Sequence, residues 1–468
     1  MRPRRFSKTL SAAAIVAVAA ACGDDNGTTP LPGPTEATIN ADITTDRTLY
    51  ADTVYTISGF VHVANGATLT IEPGTVIQGD YDVLGSSLFV LRGARIDADG
   101  TETDPIVFTS ERPVGQRQPG DWGGLIIVGN GVINRADPII LEGSNTGASN
   151  PSVTYSGGTD NTDDSGTLRY VRVEFAGYAP AADQELNSFT FAAVGGGTTV
   201  EYLESLNGLD DSYEFFGGAV DAKYLVSYEA GDDHFDMSEG FVGRLQHLIA
   251  FQTRQNIPRT GAGNVSSDPE GIENDGCAGT GCTNGQNSTP LTIPLVANFT
   301  LVGPPDGVFS GTSGGIGMML RRGTGGYYVN GAVARWERAG LSVRDANTIA
   351  RTAAEFKVQN VAVVDVGANF QPSAGSNVQD SVHAGIANVV YTATHTKDSL
   401  FVAVPNSPTD AAQLDWTPKT PLATGGTGAF TGDLATKGGT FVTGTAYRGA
   451  ADPAGPKWWQ NWTYYADN

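Results

Sequence analysis

Two neighbouring stretches of the sequence decide the fold, because they repeat each other at a spacing of 22 residues: NGLDDSYEFFGG (207–218) and EAGDDHFDMSEG (229–240). The two acidic pairs coincide, as do Glu214 with Asp236 and Tyr213 with Phe235. Extending the offset upstream places Phe191 on Tyr213. A fixed period of this length predicts a stack of similar structural units.

The composition of each unit selects the kind of stack. Short β-branched and aromatic runs alternate with Gly, Asp, Asn and Ser, without an amphipathic helical stretch, which excludes helical repeats. A propeller blade needs about 40 to 45 residues, roughly twice this period. One coil of a right-handed parallel β-helix fits, with each strand about 4.8 Å from its equivalent in the next coil. We therefore predict an all-β solenoid.

The parallel stacking makes specific residues equivalent. Val171, Leu203, Leu225 and Leu248 are predicted to form one stack in the core. Polar residues two positions before the first three of these aliphatics fall on the same nominal face: Arg169, Glu201 and Lys223. We therefore expect a bend in each coil between the two positions, where the sequence has Tyr170, Tyr202, Tyr224 and His247.

The N-terminus carries an export signal. Residues 1–21 combine a basic start with a short apolar run, and Val18 to Cys22 resembles a bacterial lipobox, which makes Cys22 the predicted lipidation site. An ordinary secretory signal is the alternative. Residues 22–40 are predicted to be a flexible tether, because they are rich in Pro, Gly and Thr. Gly23 after Cys22 favours the outer membrane or cell surface, by resemblance to lipoprotein sorting signals.

Three motifs carry a wider resemblance. GATLTIEPGTVIQG (66–79), GTETDPIVFTSE (100–111) and GDWGGLIIVGNG (120–131) resemble the opening coils of a group of bacterial envelope lipoproteins built as right-handed parallel β-helices. The resemblance continues to the Trp-rich C-terminus. It implies the fold and the cellular address. The group has no settled activity, so the resemblance implies no catalytic residue.

The predicted β-helix spans 41–400, followed by C-terminal coils and a cap over 401–468. Trp458 to Tyr465 is expected to fold over the last coil as an aromatic cap, because an open parallel edge would promote aggregation. The stretches 137–187 and 254–291 are long and polar, and we expect them to be corner loops extruded from the solenoid. Asn298, Asn330, Asn360 and Asn388 are expected to stack with their amides bonded along the axis.

Two cysteines remain once Cys22 is assigned to the lipid. Cys277 and Cys282 are predicted to form a local disulfide in an oxidising compartment. A zinc half-site is the alternative, although a second Cys or His pair is not nearby in the sequence.

Charge limits the partners. The formal net charge is −22, and both nucleic acids and anionic membrane surfaces require basic patches. We therefore expect no nucleic-acid partner, and a membrane contact only through the lipid. An acidic surface favours cations.

The acidic repeat is the strongest candidate site. Asp210, Asp211 and Glu214 are expected to stack over Asp232, Asp233 and Asp236 about 5 Å away, where like charges repel unless they are protonated, solvated or bridged by a cation. Calcium suits such an all-oxygen cluster. The alternative is that these aspartates form Asx turns at solvated corners, with His234 exposed among them.

The aromatic ladder is a second candidate site. Tyr170, Tyr202 and Tyr224 could present a platform for stacking sugars, or they could serve packing alone.

The predicted function is that of a surface-displayed adhesive or carbohydrate-binding scaffold, stabilised by calcium. A calcium-dependent polysaccharide lyase or glycoside hydrolase is the first alternative, with Arg244, Lys223 or Arg259 as the base. A self-assembling structural envelope protein is the second.

Overall fold

The computed structural model describes residues 34–136, 138–147, 150–181, 184–371, 385–387, 389–392 and 395–466. The predicted signal segment, the predicted lipidation site Cys22 and Asn388 lie outside these ranges. From Thr35 onward the chain forms one compact unit.

Short strands dominate the described residues. The first ten are β1 (Thr35–Ile39), β2 (Arg47–Leu49), β3 (Thr53–Ile57), β4 (Phe60–Val63), β5 (Thr68–Ile71), β6 (Val76–Gly79), β7 (Ser87–Val90), β8 (Arg95–Asp99), β9 (Ile106–Ser110) and β10 (Gly124–Val128). The next ten are β11 (Gly166–Glu174), β12 (Phe189–Ala192), β13 (Thr199–Leu206), β14 (Tyr213–Phe216), β15 (Asp221–Tyr228), β16 (Asp236–Ser238), β17 (Arg244–Phe251), β18 (Glu270–Asp275), β19 (Leu295–Val302) and β20 (Ile316–Arg321). The last are β21 (Gly326–Val329), β22 (Ala332–Ala334), β23 (Ala339–Val343), β24 (Phe356–Gln359), β25 (Ala362–Val364), β26 (Ile386–Ala387), β27 (Val390–Thr392), β28 (Phe401–Ala403) and β29 (Asp415–Pro418).

Helices are few and short. The described residues contain α1 (Ala346–Arg351), α2 (Lys397–Leu400) and α3 (Gly432–Gly438), with single 3-10 turns at Gly285–Asn287 and Ala411–Gln413.

All the strands from β1 to β27 pair in parallel with their equivalents in neighbouring coils and form three faces. Face 1 runs β4-β7-β10-β12-β14-β16-β18-β20-β23. Face 2 runs from β2 through β5 and β8 to β21, β24 and β26, and face 3 from β1 through β3, β6 and β9 to β22, β25 and β27. The long strands β11, β13, β15, β17 and β19 belong to both of the latter faces. The predicted parallel β-helix is confirmed.

The expected bend in the long strands is confirmed too. Tyr170, Tyr202, Tyr224 and His247 have φ values of 48°, 55°, 61° and 66°, in the left-handed region. Each left-handed residue turns the strand from face 2 to face 3 and shifts the side-chain alternation by one position. As a result Arg169 points outward while Val171, two residues later, lies in the core.

The core is a continuous set of stacks. Val171, Leu203, Leu225 and Leu248 are paired in register and fully buried, as predicted. Aromatic rings stack in face 1, where Phe189, Tyr213 and Phe235 follow one another at 5.1 and 5.2 Å. Phe189 rather than Phe191 pairs with Tyr213, so the upstream extension of the 22-residue offset was wrong by two residues. The longer coil there accommodates the difference.

Several predicted boundaries were wrong. The solenoid begins at Thr35, because β1 pairs with β3, so the last residues of the predicted tether are part of the fold. The stretch 137–187 contains β11, and 254–291 contains β18, so each is a pair of loops on either side of a coil strand. Polar residues at outward strand positions gave these segments the composition of loops.

The C-terminal segment packs along the side of the solenoid rather than over its last coil. Trp416, Trp459, Trp462 and Tyr465 are buried against residues of face 3 in a single hydrophobic cluster. Strands β28 and β29 of the C-terminal segment form an antiparallel pair. The predicted C-terminal coils and end cap are therefore replaced by a lateral cover.

The asparagines share the bend position of the long strands but bond differently from the prediction. Asn298, Asn330 and Asn360 have φ values of 55°, 59° and 55°. Their side-chain amides donate to Thr427, Thr445 and Gly449 of the C-terminal segment rather than to one another. These residues therefore fix the lateral cover to the solenoid.

Candidate cation site in an acidic pocket

Acidic side chains stack in face 1 where β14, β16 and β18 pair in register. Glu214 lies opposite Asp236, and Asp236 lies opposite Glu273. Three residues earlier in each coil, Asp211, Asp233 and Glu270 form a parallel column. In-register parallel pairing places like residues side by side, so the repeated sequence motif becomes a cluster of carboxylates.

The cluster is compact and largely buried. Five sets of three carboxylates each have oxygen atoms within 4.8 Å of one another. The sets are Asp210/Asp211/Asp232, Asp211/Glu214/Asp236, Asp232/Asp233/Glu270, Asp233/Asp236/Glu273 and Asp268/Glu270/Glu273. They share members, so the cluster is continuous. The structure therefore brings together all six predicted acidic residues and adds Asp268, Glu270 and Glu273.

The missed residues had a sequence signal. In β18 the spacing Glu270-x-x-Glu273 repeats Asp211-x-x-Glu214 and Asp233-x-x-Asp236. The intervening coil is longer, 37 rather than 22 residues, so a search at the fixed period did not reach it.

Burial and mutual repulsion disfavour the charged forms of these groups. Burial, followed by neighbouring carboxylates, raises the pKa values of seven of them well above the usual range: Asp210, Asp211, Glu214, Asp233, Asp236, Glu270 and Glu273. Burial raises the pKa of Asp232 to about 7, although a hydrogen bond from Ser266 opposes the shift. Without a counterion, the cluster holds protons near neutral pH.

Loops enclose a pocket over the cluster. Glu142 and Glu185 come from the loops that flank β11, and the segment around Ser266 closes another wall of a cavity of about 820 Å³. Burial, then repulsion from Glu185, raises the pKa of Glu142 to about 8. A second cavity of about 540 Å³ shares Glu142, Glu214 and Asp236 with the first. The acidic residues therefore face space that a ligand can enter.

Arginines neutralise one end of the cluster. Arg321 forms ion pairs with Glu273 and Asp275, and Arg322 pairs with Asp275. Burial lowers the pKa of Arg321, but Asp275 and Glu273 outweigh it and raise the value. At the edge of the second cavity, Arg135 and the Tyr155 hydroxyl both bond to Glu239. The carboxylates around Asp211 and Asp232 lie at the other end.

The donor set fits a hard cation. Both carboxylate oxygens of Glu270, and one oxygen each of Glu214, Asp232, Asp236 and Asp268, are buried without a hydrogen-bond partner among the described residues. Leaving a buried polar atom unpaired costs about 1 to 3 kcal/mol, and more for a charged group. Clustered oxygen atoms without a fixed geometry are the ligands that calcium accepts.

His234 does not belong to this site. The residue is buried, against the expectation of an exposed histidine, and its Nδ1 lies 2.5 Å from the Ser227 hydroxyl in the core. Burial lowers the pKa of His234 to about 3, so the ring is neutral. Asp233 and Asp236 face the acidic cluster, whereas His234 packs against Ser227 and Trp336.

The basic residues proposed for a lyase bond elsewhere. Arg244 pairs with Asp221 on face 2, and Lys223 lies over the Phe441 ring. Arg259 donates to the backbone oxygens of Tyr81 and Asp121. The arginines nearest to the acidic cluster are instead Arg321, which pairs with Glu273, and Arg322, which pairs with Asp275.

The predicted tyrosine ladder forms but is covered. Tyr202 stacks on Tyr170 and Tyr224 with both ring centroids at 4.4 Å. Trp462 packs edge-on against Tyr170 and Tyr202, and Trp458 contacts Tyr224. The ladder is a packing surface for the C-terminal segment, which is the second of the two interpretations of these tyrosines.

Cys277 and Cys282 are joined as a disulfide, with Cα atoms 5.9 Å apart, in the loop after β18. Their neighbours Ala278 and Gly279 line the second cavity. The loop that they close thus forms part of the pocket wall.

In the described part of the chain, none of the helices has the length and apolar character that a membrane span requires.

A comparison with known families assigns the chain. Residues 41–403 match the family model described as a pectate-lyase-like β-helix domain. Neither a curated protein nor a solved structure gives a significant match to the chain. The matched region contains the parallel solenoid from β2 onward, together with the whole acidic pocket. The chain therefore belongs to the family of pectate-lyase-like β-helix domains.

Proposed function

We propose that this protein is a lipid-anchored β-helix of the bacterial cell surface that binds carbohydrate and holds calcium in its acidic pocket. The observation that carries the proposal is the set of buried carboxylate oxygens without partners in face 1. A rigid solenoid that maintains such a cluster requires protons or cations to offset its charge.

Calcium matches this pocket better than other common cations. Every candidate ligand atom is a carboxylate oxygen, and a histidine or thiolate is absent from the sets of carboxylates that the described residues form. This donor set disfavours zinc and other softer metals. The ligands come from three strands and flanking loops, a spread that suits the six to eight oxygens and flexible geometry of calcium.

A carbohydrate ligand suits the space above the cluster. The cavity of about 820 Å³ is polar and lies at a rigid face of the solenoid, where loops supply the walls. A calcium ion held by three carboxylates keeps coordination positions that sugar hydroxyls can occupy. Export and lipidation at Cys22 would place this pocket outside the cell.

The test measures calcium and glycan binding on the same full-length protein. After EDTA treatment and dialysis, calorimetric titration with calcium should give saturable binding. A glycan array with and without calcium should then show ligands that EDTA removes. Absence of calcium binding at millimolar concentrations would contradict the cation assignment, and glycan binding that EDTA leaves intact would separate the ligand from the pocket.

A calcium-dependent polysaccharide lyase is the second candidate. It is favoured by one observation: Arg322, whose side chain is 44% exposed, lines the second cavity beside Glu214 and Asp236. A lyase would convert uronate polymers to products with a new C=C bond and ultraviolet absorbance. Such absorbance growing only with calcium, and lost in Arg322→Gln, would favour the enzyme over the binding module.

A further inference from the structure

A third cavity, separate from the two acidic ones, has a basic lining. A cavity of about 400 Å³ lies between the loop 112–119 and the segment 254–257, beside the ends of β11 and β13. It shares no lining residue with the acidic pocket among the described residues.

The lining of this cavity departs from the charge of the chain. Three arginines line it, namely Arg112, Arg117 and Arg254, together with side-chain amides, and none of its described lining residues is acidic. The whole chain has 50 acidic and 28 basic residues, so such a lining is unusual for this protein. Guanidinium groups bind carboxylates and other oxyanions through paired hydrogen bonds.

Contacts with the surrounding protein hold two of the arginines in place. Arg117 donates through Nε to the Arg112 backbone oxygen and through Nη1 to Thr109, and its Nη1 lies 3.6 Å from the buried Glu174. The Arg112 guanidinium lies over the Tyr81 ring at 4.6 Å and donates to Gln116. Arg112 Nε is buried without a partner among the described residues. A positioned guanidinium loses less conformational entropy when it binds a ligand.

Two side-chain amides in the lining provide one unpaired hydrogen-bond acceptor and one unpaired donor. Asn256 donates through Nδ2 to the backbone oxygens of Gly208 and Glu229, while its Oδ1 is buried and unpaired within the described part of the chain. Asn207 accepts a hydrogen bond from Arg254 through Oδ1, while its Nδ2 is buried and has no partner among the described residues. Both asparagines are at least nine-tenths buried. Donors and an acceptor at fixed positions match sugar hydroxyls.

Apolar surface completes the pocket. Phe175, at the end of β11, lies in its wall, and the Ile257 side chain is 76% exposed at its edge. The apolar face of a sugar ring packs on such groups while its hydroxyls bond to amides.

We propose that this pocket binds a saccharide that carries an oxyanion, a carboxylate or a sulfate, with Arg112 and Arg117 holding the anionic group. The inference rests on the proposed carbohydrate-binding function. It assigns the charged part of the ligand to the basic cavity, whose described lining includes none of the carboxylates proposed to hold calcium. An acidic surface polymer could thus be held by a basic pocket in an otherwise acidic protein.

The experiment titrates full-length protein with glucuronate, glucose 6-sulfate, glucose and inorganic sulfate, always in EDTA. Glucuronate or glucose 6-sulfate should bind at least about tenfold more tightly than glucose, because a charge-assisted pair is lost with the neutral sugar. Arg112→Gln should weaken binding of the charged sugars by about tenfold or more on the same ground. Gln255→Glu, at an exposed position, should weaken it by repulsion without disturbing the core.

Arg169→Gln is the matched control, because Arg169 pairs with Asp99 and Glu201 on face 2. It should leave the affinity unchanged. Equal binding of glucose and glucuronate, no binding of either charged sugar, or unchanged affinity in both pocket variants would overturn the proposal. Inorganic sulfate binding as tightly as glucose 6-sulfate would overturn the assignment to a saccharide. Since EDTA is present throughout, these outcomes are independent of the calcium titration.

Discussion

Asp236→Asn is the sharpest test of the acidic pocket. Asp236 is half-buried at the centre of the column Glu214–Asp236–Glu273 and belongs to two of the sets of three carboxylates. The substitution keeps the shape of the side chain and removes its charge. It should therefore weaken cation binding while relieving repulsion.

The expected magnitudes follow from the geometry. Two ionised carboxylates at 4.8 Å repel by about 3 kcal/mol at an effective dielectric constant of about 20. Protonation relieves part of this, so Asp236→Asn in EDTA should unfold at the same temperature as the wild type or slightly higher. Calcium at about 100 times its Kd stabilises the wild type by about 2.7 kcal/mol.

That stabilisation converts into a measurable shift. A unit of about 430 residues has an unfolding entropy near 0.9 kcal/mol/K, so calcium should raise the wild-type Tm by about 3 °C if unfolding is cooperative. A solenoid that unfolds in parts would show a larger shift in the part that binds the ion.

The assay is calorimetric unfolding in EDTA and in calcium. The control is Asp97→Asn, an outward strand carboxylate 3.9 Å from Arg95, which should keep the full calcium shift. A calcium shift in Asp236→Asn as large as in the wild type would refute the site. A Tm in EDTA below that of the wild type would refute the argument that the uncompensated charge is destabilising.

Three further predictions concern pH and the C-terminal cover. Folding raises the pKa of Asp232 to about 7 and that of Glu142 to about 8, so the folded protein binds more protons than the unfolded chain. In EDTA the free energy of unfolding should therefore fall as pH rises from about 5 to 8. Calcium should cancel or reverse this slope, and a rising slope in EDTA would be inconsistent with buried, uncompensated acids. Tyr202→Ala, which removes a ring stacked on both sides, should lower the free energy of unfolding by about 2 to 3 kcal/mol in urea titrations, and Tyr202→Phe by less than about 1 kcal/mol. Trp462→Ala should cost about 3 to 5 kcal/mol and make the segment after Leu400 the first site of limited proteolysis; cleavage first within the solenoid coils would contradict the lateral cover.

Sequence periodicity was a reliable guide where coils have equal length. Between β13 and β17 the offset of 22 or 23 residues predicted the partners of Leu203, Leu225 and Leu248 correctly. It failed at Phe191 and at β18, where the connecting loops change length while the strands keep their pairing. Strand register is set by pairing and core packing, which a fixed period cannot follow through an insertion.

The C-terminal segment shows a different limit. Its tryptophans indicated a surface to be covered, but their partners, Tyr170 and Tyr202, lie more than 250 residues earlier. An exposed aromatic ladder and a covered one have the same local sequence. Only the return of the chain along the side of the solenoid decided between a sugar platform and a packing surface.

The sequence by itself determined the coil, because parallel stacking requires like residues at a regular interval, and so it also determined that Glu214 and Asp236 would be neighbours. The tertiary structure decided what those neighbours become. It added Glu270 and Glu273 from a coil of different length, enclosed the cluster with loops, and placed Arg321 at one end. The physical reason is that stacking depends on local periodicity, whereas burial and the pairing of charges depend on segments that meet only after the chain has folded.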